Sequence, residues 1–220
     1  VEESDCVAVP DPSTFQILPW RPQEKGAARM FCDIKTPAGE PFEGDPRAVL
    51  RRVCDDAYDH GLVCSLSPAI EHFYFRDSKG VEPLDCGGYF DNMPLDSGND
   101  LRRESVLMLE RMGIPVEYSH HENAPSQHEI HLRYADACSM ADAVMTHRLV
   151  VKQVAQAHGC YASFMPKPSA AYDGSGMHLH LALHDLDGTN LFFDPEDPDG
   201  YQLSQTAKYF LAGLLRYAPE

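Results

Sequence analysis

The sequence predicts an α+β fold with a mostly antiparallel sheet and flanking helices. Strand-like and helix-like segments are mixed, hairpins outnumber βαβ units, and no repeat or low-complexity tract interrupts them. At 220 residues the chain fits one large or two small domains and can bury a real core.

Each element has a local signal. DPSTFQILPW (11–20) joins turn residues to an apolar run, and AARMFCDI (27–34) reads as one largely buried strand before the turn PAGEPFEG. A domain boundary is expected near Pro37 to Gly44, dividing 1–40 from 41–220. Beyond it, Asp45 is a natural N-cap and Pro46 an N1 proline, and Ala48, Val49, Val53 and Ala57 keep helical spacing up to a Gly61 stop. LVCSLSPAIEHFYF (62–75) reads as one strand, with Glu71, Phe73 and Phe75 on one side and Ile70, His72 and Tyr74 on the other. A second helix is expected from Asp100 to Met112, with Val106, Leu107, Leu109 and Met112 as its apolar face and Gly113 as its end. A hairpin built around HHENAPSQHEI (120–130) follows, then a long core-facing helix over 136–159. CYASFMPKP (160–168) and SGMHLHLALHD (175–185) read as strands, the second placing His178 and His180 on one face. A last helix is expected from Ser204 to Tyr217.

Charge narrows the partners. A formal net charge of -16 without a basic run argues against nucleic acid or an anionic membrane, and a nucleotide substrate would need a bridging metal. The seven cysteines are scattered and form no C-x-x-C pair, which suits thiols in a reducing compartment, so a cytoplasmic location is expected. VEESDC lacks a signal-peptide pattern, and no apolar run approaches the ~18 residues of a membrane span.

The chemistry concentrates at one hairpin. Glu122 and Glu129 flank its mouth, and two carboxylates so close are best reconciled by a shared cation or proton. Glu71 adds a third carboxylate within an otherwise apolar strand, where a charge survives only when paired or metal-bound. Three glutamates without a cysteine ligand favour Mg²⁺ or Mn²⁺ over structural zinc. His178 and His180 read either as a metal ligand and a phosphate contact or as two satisfied core histidines. His128 and Glu129 sit in H-E-I-H, which is not H-E-x-x-H, so the zinc-protease signature is missing and the sequence argues against a metalloprotease.

Six ordered blocks carry a resemblance: DPSTFQILPW, DPRAVLRR, GGYFD (87–91), HHENAPSQHE (120–129), FMPKP (164–168) and DGSGMHLH (173–180). Together they resemble type I glutamine synthetases over nearly the whole chain, as a central piece of a longer family member. The resemblance implies the end of a β-grasp domain followed by the first part of the catalytic domain. It also implies ATP-dependent joining of ammonia to the γ-carboxylate of glutamate through γ-glutamyl phosphate, with Mg²⁺ or Mn²⁺, in a cytoplasmic homo-oligomer that is a dodecamer in full-length members. By resemblance, Glu71, Glu122 and Glu129 match the ligands of one metal and His178 a ligand of a second. His180 matches a phosphate contact, Glu117 a ribose contact, Tyr134 a position beside adenine, and Gly174 with Asp173 a substrate-glutamate contact. Tyr89 matches a wall of the ammonium pocket, and Glu122 the carboxylate that helps deprotonate ammonium.

The chain also departs from that pattern. Ala69 stands where the family usually has a second-metal glutamate, Asp173 replaces an asparagine, Ser126 a glycine, Ala182 a serine and His72 an aromatic. These departures keep two alternatives open: a γ-glutamyl ligase for a polyamine or other amine, and a non-catalytic paralogue.

Overall fold

A computed structural model of the chain describes residues 5–21 and 24–218. Near the N-terminus, β1 (Val7–Pro10) pairs antiparallel with a later strand, and β2 (Gln16–Ile17) pairs with β3 (Ala28–Arg29). The partner of β1 is β4 (Cys32–Lys35). The single strand expected over 27–34 is therefore two short ones. Between them, Phe31 leaves the ladder: its N–H donates to the Thr14 hydroxyl and its carbonyl accepts from Asp11 N–H. Both backbone groups of Phe31 are thus satisfied without a strand partner.

Helix α1 (Pro46–Asp59) begins as its sequence directs, with the Asp45 carboxylate accepting from Arg47 N–H at 3.0 Å, and Gly61 past its end has φ +77°. Arg47 joins three parts of the chain, reaching Asp11 at 2.8 Å, Asp33 at 2.5 Å and Asp142 at 3.0 Å.

The main sheet is antiparallel throughout. It comprises β5 (Val63–Phe75), β6 (Val116–His121), β7 (Gln127–Leu132), β8 (Ala135–Asp136), β9 (Tyr161–Ser163) and β10 (Met177–His184). The spatial order is β10-β5-β7-β6, with β8 and β9 also pairing with β5. β9 is shorter than the strand expected over 160–168, because Pro166 and Pro168 have no N–H to offer a ladder.

Helices α2 (Asn99–Arg111) and α3 (Ala137–Ala157) close the core with one face of the sheet, around Ile70, Tyr74, Leu109, Ile130, Leu132, Val150, Val151 and Val154. The inward face of α2 differs from the apolar stripe its sequence suggests. Leu107 is 38% exposed, while Leu101, Arg102, Ser105 and Leu109 are buried. Leu101, Ser105, Leu109 and Met112 recur at helical spacing and leave Leu107 off their face, and Arg102 on that face lies 2.8 Å from the fully buried Asp96. Helix α4 (Gln205–Tyr217) is capped by the Ser204 hydroxyl, which accepts from Ala207 N–H.

Candidate metal site on the open face of the sheet

Strand alternation sends Ile70, His72 and Tyr74 into the core, so Ala69 and Glu71 face the other way. Register then fixes their neighbours. In one row Glu71 opposes Glu129 on β7, which opposes His120 on β6. In the adjacent row His178 on β10 opposes Ala69, Ala69 opposes His131, and His131 opposes Tyr118. A β-bulge between Val116 and Tyr118 sets this last pairing.

Between the two rows, one ligand atom each from Glu71, Glu129 and His178 lies within 4.8 Å of the others. An octahedral ion about 2.1 Å from its ligands separates them by about 3 to 4.2 Å, so a small inward movement lets the three atoms share one ion, with water or substrate supplying the rest of the shell. Among the described residues, no lysine or arginine is paired with Glu71, Glu122 or Glu129; the basic groups beside Glu122 and Glu129 are imidazoles. Two carboxylates and an imidazole with no cationic partner fit a hard to borderline divalent cation such as Mg²⁺ or Mn²⁺.

Glu122 stands beside this group and is not one of its three members. Its carboxylate is 3.5 Å from His120 Nδ1 and accepts from Asn123 N–H. Burial, reinforced by the charges of Glu129 and Glu71, holds its pKa above the usual glutamate value. It is thus within electrostatic reach of the other two carboxylates.

Gln127, which sequence reasoning passed over, organises the site. Its Nε2 donates to Glu71 Oε2 at 2.8 Å and to the Gly174 carbonyl at 2.9 Å, tying the DGSG loop to β5. Gly174 is required there for a steric reason, since a Cβ would come within 2.5 Å of the Pro166 carbonyl oxygen. Asp173 is exposed beside it.

The remaining predicted residues spread over the same end of the sheet. His180 is exposed, 6.3 Å ring to ring from His131. Tyr89 is 59% exposed and meets His120 edge-on at 5.5 Å. Glu117 is exposed at the bulge in β6, and Tyr134 is half exposed between β7 and β8.

A second cluster lies beneath the hairpin. Asp85, Asp96, His121 and His128 also converge within 4.8 Å, but a cation is already present. Arg102 lies 2.8 Å from Asp96 and 2.7 Å from His128 Nδ1. His121 directs Nδ1 to the Glu122 carbonyl at 2.7 Å and Nε2 to Asp85 at 3.1 Å; a carbonyl accepts only, and burial is outweighed by Asp85 so that the ring's pKa rises. Two carboxylates face Arg102 and His121, whose pKa Asp85 raises, so this cluster already holds its own cationic partners. The same Asp85 accepts from the N–H groups of Ser126, Gly87 and Ser97. Ser126 has φ +57°, a conformation that explains why glycine suits this position, and its hydroxyl accepts from Leu84 and Asp85 N–H.

The chain is similar to known proteins over its whole length. The family model described as "Glutamine synthetase, catalytic domain" matches residues 43–220, and "Glutamine synthetase, beta-Grasp domain" matches 1–37. Glutamine synthetase of Mycolicibacterium smegmatis is 53% identical over 226 residues, covering 100% of this chain and 50% of that protein. Its counterpart from Methanosarcina mazei is 47% identical, covering 100% of this chain and 49% of that protein. A cryo-EM structure of Plasmodium falciparum glutamine synthetase superposes with a TM-score of 0.88 at 26% identity, over 99% of this chain and 48% of that one. The chain spans about half the length of the curated relatives it matches. With one family model alone covering most of its residues, this chain belongs to the glutamine synthetase family.

Proposed function

We propose that this chain carries the metal-binding centre of a glutamate–ammonia ligase, which uses ATP to form γ-glutamyl phosphate and then glutamine. The convergence of Glu71, Glu129 and His178 on neighbouring strands carries the reading. Phosphoryl transfer to a carboxylate brings two anions together, and a bound Mg²⁺ or Mn²⁺ supplies the charge neutralisation that allows their approach.

The protein's own groups do the rest. Glu71 and Glu129 hold the ion on the glutamate side, with Gln127 fixing the Glu71 carboxylate. His178 and His180, on one face of β10, serve the phosphate side, with Glu117 and Tyr134 placed for the ribose and adenine. Gly174 and Asp173 present the DGSG loop to the amino acid. Glu122, its pKa raised by burial and by its acidic neighbours, is suited to accept a proton from ammonium beside Tyr89. The domain division at 1–40 and 41–220, the homo-oligomer and the cytoplasmic location belong to the same reading. No helix among the described residues is long and apolar enough to cross a membrane.

The test is phosphate release from ATP by the full-length protein, with glutamate plus ammonia and with glutamate plus a panel of amines. Release dependent on ammonia and on Mg²⁺ or Mn²⁺ is expected. Release only with another amine would move the assignment to a γ-glutamyl ligase for that acceptor. Absence of release with every acceptor would make the chain a non-catalytic paralogue.

A further inference from the structure

We propose a second cation position on this face, built from His120 Nε2, His131 Nε2 and Glu129 Oε2 and suited to a borderline divalent ion such as Zn²⁺ or Co²⁺. The two imidazole nitrogens lie 2.9 Å and 2.8 Å from the same carboxylate oxygen, and all three side chains are buried. Two nitrogens and one oxygen lie close together, a donor set in which imidazole favours zinc or cobalt over magnesium.

The buried convergence of the three donors carries the argument, and His120 is oriented to take part in it. Its Nδ1 is 3.0 Å from the His121 carbonyl oxygen, which can only accept, so the ring proton sits on Nδ1. In the neutral ring Nε2 then carries a bare lone pair, held 2.9 Å from a carboxylate oxygen. Two lone pairs at that distance repel unless a proton or a cation sits between them. A backbone carbonyl fixing the far nitrogen is also the usual support for a metal-bound histidine.

Both rings are held in place before any ion arrives. Phe90 stacks on His120 at 4.5 Å and 10°, and Tyr118 stacks on His131 at 3.9 Å and 24°. Phe90 adopts φ +60°, uncommon for a bulky residue, while its N–H donates to the same His121 carbonyl. Strain at the residue that clamps a ligand ring is a feature of built sites. Glu129 would then join two cation positions, meeting Glu71 and His178 on one side and the two histidines on the other. The inference deepens the proposed function, because both use Glu129.

The test is calorimetric titration of the metal-free protein with Zn²⁺, for wild type, His131→Gln and Glu71→Gln. The expected result is a binding step that persists in Glu71→Gln and is weakened at least tenfold in His131→Gln. An X-ray absorption spectrum of wild type at one equivalent of Zn²⁺ should show two imidazoles in the shell, which decides the matter even where a variant fails to fold. No zinc binding by wild type, a His131→Gln affinity within twofold of wild type, or a shell with fewer than two imidazoles would overturn the proposal. Zinc binding that needs His131 in a protein releasing no phosphate would leave this site standing and the ligase assignment fallen.

Discussion

Glu71 and Glu129 are direct cross-strand partners on the side of β5 and β7 turned away from the core of α2 and α3. Like charges in directly opposed positions destabilise a sheet by up to about 1 kcal/mol. A cost retained at the centre of a fold marks a place where a ligand repays it. Glu71→Gln should therefore raise the melting temperature in chelator by a degree or more while losing most of the stabilisation that Mn²⁺ gives the wild type. Thermal unfolding in EDTA and in Mn²⁺ measures both, and an unchanged Mn²⁺ response would remove Glu71 from the metal site.

Gln127 holds Glu71 from behind and is itself buried. Groups that orient a metal ligand typically matter by about 10- to 100-fold in affinity. Gln127→Met keeps the volume but loses the donor, and also leaves Ala124 N–H without its 3.2 Å partner. We expect Mn²⁺ to bind about 10-fold more weakly, with about 1–3 kcal/mol of stability lost from the unpaired backbone group. Equal Mn²⁺ affinity in a folded variant would show that Glu71 needs no such support.

How much of this was readable in the chain follows from which interactions are local. Period-two alternation separates Glu71 from His72, and the caps at Asp45, Pro46, Gly61 and Gly113 are signalled by residues a few positions away. The roles of His120 and His131 depend on the register of β6 against β7, set by a bulge with no sequence signature. Leu107 lies off the stripe that Leu101, Ser105, Leu109 and Met112 form at helical spacing, a stripe hidden in the sequence because it includes the polar Arg102 and Ser105. Gln127 gave no signal either, since a glutamine becomes a site residue only once the DGSG loop lies over β5.

Ala69 tests the outward-facing grid. It is fully buried and stands in register between His178 and His131. A carboxylate there would project toward the same ions as Glu71, two positions along the strand. Ala69→Glu should tighten Mn²⁺ binding about 10-fold and, with metal removed, cost about 1–3 kcal/mol through crowding. Free Mn²⁺ measured by electron paramagnetic resonance reads the first, and urea unfolding in EDTA the second. Unchanged Mn²⁺ affinity would place position 69 outside the cation sites.

The opposite face of β5 carries a different liability. His72 and His147 are buried side by side, 6.2 Å ring to ring, and none of their four ring nitrogens has a hydrogen-bond partner among the described residues. Burial, with the charge of Arg148 assisting, pushes the His147 pKa down to about 3. The folded chain thus keeps His147 neutral where the unfolded chain, with an ordinary value near ~6.5, takes up a proton. Because the folded pKa is the lower one, stability is full above the unfolded value and falls as pH drops through it, by about 1.4 kcal/mol per unit down to the folded value. At pH 5 His147 alone should cost about 2 kcal/mol relative to pH 7.5. His147→Phe removes that proton site, keeps an aromatic ring against Phe164, and leaves no orphaned nitrogen at position 147. The variant should lose less melting temperature than wild type between pH 7.5 and pH 5, and should be at least as stable at pH 7.5. Parallel declines in the two proteins would mean that His147 is protonated in the folded state, and the buried imidazole pair would then need a partner.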